Sequence, residues 1–141
     1  MNGFRNLIIV LIIIFTLISM SVAQTLIVSE IVSSNTNSLL DAYGNSPDWI
    51  ELYNAGDETL DLTSYWLSDD FDDPDRWIFT TTTIGSHDYL IIFASGTEID
   101  AVHTNFSLNA GGEELVLSDP NGNIIDSVLI PALPTDVSYG R

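Results

Sequence analysis

The chain has 141 residues, with 20 Asp plus Glu against three Arg and no Lys, and a formal net charge of −17. One ordinary domain's length without clustered cations argues against nucleic acid as a partner, because phosphate backbones are bound by neutralising them. With no cysteine there is no disulfide, thiolate nucleophile or thiolate-bound zinc, so stability has to come from packing.

The first element in chain order is a leader. Arg5 precedes a twelve-residue apolar run, Leu7 to Ile18, interrupted only by Thr16, and Ser19, Ser21 and Ala23 follow. This is the pattern of a secretory signal peptide over residues 1–23, with cleavage expected between Ala23 and Gln24. The run is shorter than the ~20 apolar residues of a membrane span, so no permanent anchor is expected after cleavage; an uncleaved N-terminal anchor is the competing reading. The 118 residues that remain carry −18, because Arg5 leaves with the leader. Such one-signed charge favours solubility and is tolerated best in a saline, cation-rich medium, which fits an extracellular location.

Short apolar runs then alternate with turn signals. Strands are expected at Leu26–Val32, Trp49–Asn54, Trp66–Ser68, Arg76–Phe79, Tyr89–Ala94, Glu113–Ser118 and Ile124–Ile130, several of them rich in β-branched or aromatic residues. Breakers separate them at Gly44 to Pro47, Asn54 to Asp57, Asp73 to Asp75, Gly111-Gly112 and Asp119 to Gly122. In the last of these, Pro120 presets a turn corner and Gly122 accepts a positive φ, so the two final runs form a hairpin. The reading is all-β, a β-sandwich domain over residues 24–130, with residues 131–141 as an exit segment or the start of a linker.

Three segments carry a more specific resemblance. They are Asp48-Trp49-Ile50-Glu51-Leu52-Tyr53-Asn54 with the following Leu60-Asp61-Leu62 and Tyr65 to Asp69; Phe106 to Leu117; and Asp119 to Gly122 through Val128. Together they resemble the lamin tail domain family, which implies an immunoglobulin-like β-sandwich of about seven to nine strands. Ser29-Glu30-Ile31 with Asn35, and Asp41 through Pro47, resemble the bacterial extracellular version that precedes a spore-coat-H-like kinase region. Asp136 to Arg141 resembles the junction there. The resemblance implies a secreted noncatalytic binding or attachment module, monomeric, whose partner is a protein or a cell-surface polysaccharide. The alternative is an N-terminal accessory domain of a larger secreted enzyme, kinase-like or nuclease, whose catalytic part lies beyond Arg141.

Five carboxylates crowd seven residues: Asp69, Asp70, Asp72, Asp73 and Asp75. Their mutual repulsion is the kind a hard, oxygen-loving cation relieves, which makes them candidate calcium ligands; the spacing is not that of an EF-hand, and a solvated turn capped by its own side chains is the competing reading. No other cofactor is expected. Glu30 and Glu51 lie inside apolar strands. With Ile50 and Leu52 pointing inward, Glu51 falls on the opposite face beside Trp49 and Tyr53, so it need not be buried; backbone or metal ligation is the competing reading. His87 adjoins Asp88, but sequence neighbours in an extended segment point to opposite faces, so His87 and His103 read as loop or strand-edge residues. No nucleophile elbow, zinc motif or phosphate loop occurs. Trp49, Tyr53, Tyr65, Trp66 and Trp77 are candidates for an aromatic platform, with core packing the expected use of most.

Overall fold

The computed structural model describes residues 25–141; the expected signal peptide and its cleavage point lie outside the described residues. Where apolar residues recur every second position, the chain pairs into antiparallel strands: β1 (Leu26–Val32), β2 (Asp48–Asn54), β3 (Leu60–Asp61), β4 (Trp66–Ser68), β5 (Trp77–Ile78), β6 (Thr83–Ile84), β7 (Tyr89–Ala94), β8 (Glu113–Ser118), β9 (Ile124–Ile130) and β10 (Tyr139–Gly140). All seven expected strands are present, with β2 one residue longer and β5 trimmed at both ends. The unexpected β3, β6 and β10 are two residues each, too short to show a periodicity.

Two four-stranded sheets, in the orders β10-β1-β2-β7 and β5-β4-β8-β9, stack face to face, and β3 and β6 form a separate ribbon. Leu26, Val28, Ile31, Ile50, Leu52 and Ile92 of the first sheet meet Leu67, Leu115, Leu117, Val128 and Ile130 of the second, with Leu62, Phe79 and Phe106 filling the ends. Each such buried side chain stabilises the fold by about 1.5–3 kcal/mol relative to exposure. The molecule is an immunoglobulin-like β-sandwich, without a helix among the described residues.

The Asp48–Asn54 segment shows how the motif works. Ile50 and Leu52 have no exposed surface. Asp48 Oδ1 accepts the Asn35 N–H at 2.8 Å, tying the strand to the β1–β2 loop. Trp49 packs with Val32 and Phe93 in a second, smaller cluster and donates its indole N–H to Ser38 Oγ at 3.1 Å. Asn54 is buried, and its amide donates to the carbonyls of Glu58, Ile84 and Gly85 at 2.8, 3.2 and 2.9 Å, joining three chain segments at one side chain.

Residues 131–141 do not simply lead away from the sandwich. Tyr139 and Gly140 pair with Ile31 and Glu30. The Arg141 guanidinium donates to Val28 O and pairs with Asp126, whose carboxylate also accepts the Val28 N–H at 2.8 Å. The backbone of Val28, beyond the reach of β10, is thus satisfied by side chains. The turn into β8 needs glycine: Gly112 has φ +97°, and a Cβ there would lie 2.8 Å from Ile130 O.

Candidate binding face

The outward side of the first sheet divides into two halves. In one half the β1–β2 loop and the segment after β7 cover the sheet: Leu39 and Val102 pack on Val32, Trp49 and Phe93. In the other half no described loop packs over the strands, and their outward side chains are half-buried apart from Tyr89. Register places Ile27, Tyr53 and Tyr89 in one row, and Gly140, Glu30, Glu51 and Ile91 in the next. Tyr89 is 56% exposed, and its ring lies 4.7 Å from that of Tyr53, tilted by 30°. His87, at the rim, faces the Tyr53 hydroxyl at 3.4 Å through Nδ1 and Asp57 at 3.0 Å through Nε2.

A bulge creates this face. Leu26 and Val28 point inward, so uninterrupted alternation would drive Glu30 into the core. The register shifts between Val28 and Glu30, leaving Ser29 as the extra residue, and Ile31 takes the inward position opposite Ile50. Glu30 is then displayed beside Glu51 as a direct cross-strand pair. Ser29 donates its hydroxyl to Glu51 Oε1 at 2.7 Å. Neither glutamate has an ion-pair partner among the described residues: Arg76 pairs with Asp69, Arg141 with Asp126, His87 with Asp57, and His103 with Asp41 and Asp100. Glu51 thus takes the outward position expected of it.

The acidic turn after β4 is organised locally. Asp69 receives Arg76 at 2.6 Å. Asp70 Oδ1 accepts the Asp72 N–H at 2.8 Å, while Ser68 Oγ accepts the Asp70 N–H at 3.0 Å and donates to Asp73 O at 2.6 Å. Asp72, Asp73 and Asp75 are exposed. Among the described residues no three His, Cys, Asp or Glu side chains converge as a metal-holding group, so these five carboxylates are not gathered into a cage.

His103 lies in the segment after β7, bridged to Phe93 at the sheet edge as a loop or strand-edge residue, but it is buried there: it is 1% exposed and stacked on Phe93 with ring centroids 5.1 Å apart. Its Nδ1 lies 2.7 Å from Asp100 Oδ1, and its Nε2 faces Asp41 Oδ2 at 3.4 Å without completing a hydrogen bond. The His103 contact, above all, holds the Asp100 carboxyl below its ordinary range. Burial pushes Asp41 up, but hydrogen bonds from Asn45 and Tyr43, with the close approach of the His103 ring, outweigh it and leave that carboxyl lowered. The arrangement pins the β1–β2 loop to the segment after β7. Both ring nitrogens face acids and the ring is sealed from solvent, which is a structural clamp rather than the geometry of an accessible general base. Asp100 is only three residues from His103, but Asp41 joins it through tertiary folding alone.

Of the aromatic candidates, Trp49 and Trp77 are buried and Tyr53, Tyr65 and Trp66 are partly buried. Tyr89, which no sequence signal set apart from its strand, is the exposed partner of the half-buried Tyr53. A family model described as Lamin Tail Domain matches residues 19–131. No curated protein matches the chain.

Proposed function

The chain belongs to the lamin tail domain family, a noncatalytic immunoglobulin-like domain family, and from that premise we propose that it is an exported binding or attachment module. The uncovered half of the first sheet, around Tyr53 and Tyr89, is its working surface. The observation that carries this reading is the Tyr53–Tyr89 pair, with Tyr89 56% exposed on an open sheet face whose other half is covered by loops. Rigid aromatic rings contribute large contact area at low entropic cost, which is why they are favoured at binding surfaces. The signal-peptide pattern at residues 1–23 supports export. The acidic surface is stabilised by cations, calcium among them, drawn to its charge density rather than held in a preformed cage.

Expression of the full chain with its leader in a bacterial host tests both parts. Mass spectrometry of the exported product is expected to find Gln24 at its N-terminus, and the Tyr53→Ser/Tyr89→Ser variant to be retained on the cell envelope at least fivefold less than the parent chain. An uncleaved leader would contradict the export reading, and unchanged retention would contradict the assignment of the surface.

A further inference from the structure

We propose that the Glu30–Glu51 pair and the Tyr53–Tyr89 pair together seat an arginine or lysine side chain of an extended segment of a partner protein. This inference rests on the reading of the uncovered sheet face as the working surface and adds the partner's chemistry.

Like charges directly opposite each other on neighbouring strands are destabilising. Here two glutamates face one another in register, and the only hydrogen bond either side chain receives among the described residues is from Ser29 to Glu51. The nearest arginine is turned elsewhere. Gly140, in register beside Glu30, has no side chain to offer, and Arg141 after it points to Asp126 and Val28 O. The other described arginine, Arg76, is paired with Asp69 in the turn after β4. No described cation reaches the pair, so a cationic side chain of a partner is the group that would neutralise it.

The neighbouring row supplies the rest of the seat. Outward positions two residues apart on one strand are about 6.7 Å apart, so a side chain whose stem lies along the Tyr53 ring brings its cationic head between Glu51 and Glu30. Cations are attracted to a tyrosine face within about 6 Å of its centroid, and a guanidinium also forms paired hydrogen bonds with a carboxylate. Ile27, beside Tyr53 in its row, offers apolar contact to the partner's adjoining residues, while Ile91, beside Glu51, packs toward Trp49 and Phe93. A second copy of this chain is a poor occupant, since its surface brings strong negative charge and its described arginines are already paired.

The test is a titration of the full exported chain with a fluorescein-labelled peptide of alternating arginine and threonine at 0.15 M NaCl. The Glu30→Gln/Glu51→Gln variant is expected to bind at least tenfold more weakly. Asp72→Asn/Asp75→Asn, which removes the same charge from the exposed turn, is expected to change affinity less than twofold. Equal losses in the two variants would mean that only the long-range field attracts the peptide, and would overturn the seat. A chitosan tetramer that binds more tightly than the peptide would overturn the assignment to a protein segment, and sedimentation showing a dimer dependent on Glu30 and Glu51 would replace it with a second copy. Because the glutamine variant removes a repulsion, its Tm is expected to rise by about 2 °C, and a fall would overturn the claim that the pair is uncompensated. If Tyr53→Ser/Tyr89→Ser loses envelope retention while the glutamine variant binds the peptide like the parent, the charge inference falls and the surface reading stands; if neither variant has an effect, both fall.

Discussion

At the scale of single residues, the family's motif reads as a set of separate physical tasks. Ile50 and Leu52 fill the core, Trp49 closes the covered half of the outer face, and Asn54 joins the chain segments that follow. Asn54→Ala leaves three carbonyls without their donor, that of Ile84 buried, at a cost of about 1–3 kcal/mol. Urea unfolding is expected to show that loss as a lower midpoint at unchanged slope; a change below 0.5 kcal/mol would mean that water replaces the amide without penalty. Glu51 was legible from alternation alone. Glu30 was not, because its outward position depends on an extra residue at Ser29 that a period of two does not announce. His103 was hidden for a different reason: one of its carboxylates, Asp41, comes from a loop distant in sequence, and local composition says nothing about that meeting.

At the scale of elements, the long strands and the last hairpin were readable because each repeats its apolar pattern several times and ends at a strong turn. Gly122, at φ +82°, is the clearest case of turn chemistry that the sequence states outright. The two-residue strands have no such signature, and β10 comes from a proline-flanked segment that looks like an exit. Its attachment has a pH signature. Asp136 accepts the Thr36 hydroxyl and the backbone N–H groups of Thr36, Asn37 and Ser38, which lower its pKa from 3.8 to about 2. A carboxylate whose pKa is depressed by folding contributes stability that is fully present above its unfolded value and is lost as pH falls through the folded value. Amide exchange at Thr36, Asn37 and Ser38 is therefore expected to be slow at pH 5 and to lose its protection between about pH 4 and pH 2. Asp136→Asn is expected to remove most of that pH dependence. Equal dependence in the variant would assign it to another acid, such as Asp41 or Asp100, whose folded pKa values are also lowered.

At the scale of the whole molecule, the fold class was legible from composition and turns, and the family from its motifs. The working surface was not, because a sheet face exists only once register is set. The net charge bears on stability across the entire surface: repulsion among exposed acids opposes compaction and is screened by salt. Raising NaCl from about 20 mM to about 500 mM is expected to increase Tm by about 4 °C, corresponding to about 1 kcal/mol for a domain of this size. Calcium and magnesium at equal concentration are expected to raise it alike. A rise specific to calcium that disappears in Asp70→Ala/Asp72→Ala would instead establish a discrete bound ion in the acidic turn.

The second sheet carries apolar side chains on its own outer side, Ile78 and Ile124 exposed and Trp66 half-buried, around a buried Ser118 in the same register, with Leu129 on the edge strand 78% exposed. The two sides of the sandwich are therefore directly comparable, and hydroxyl-radical footprinting of the chain free and retained on the cell envelope decides between them. Tyr53 and Tyr89 are expected to become protected on retention while Trp66 and Leu129 do not. Protection of Trp66 and Leu129 with Tyr89 unchanged would contradict the assignment of the working surface.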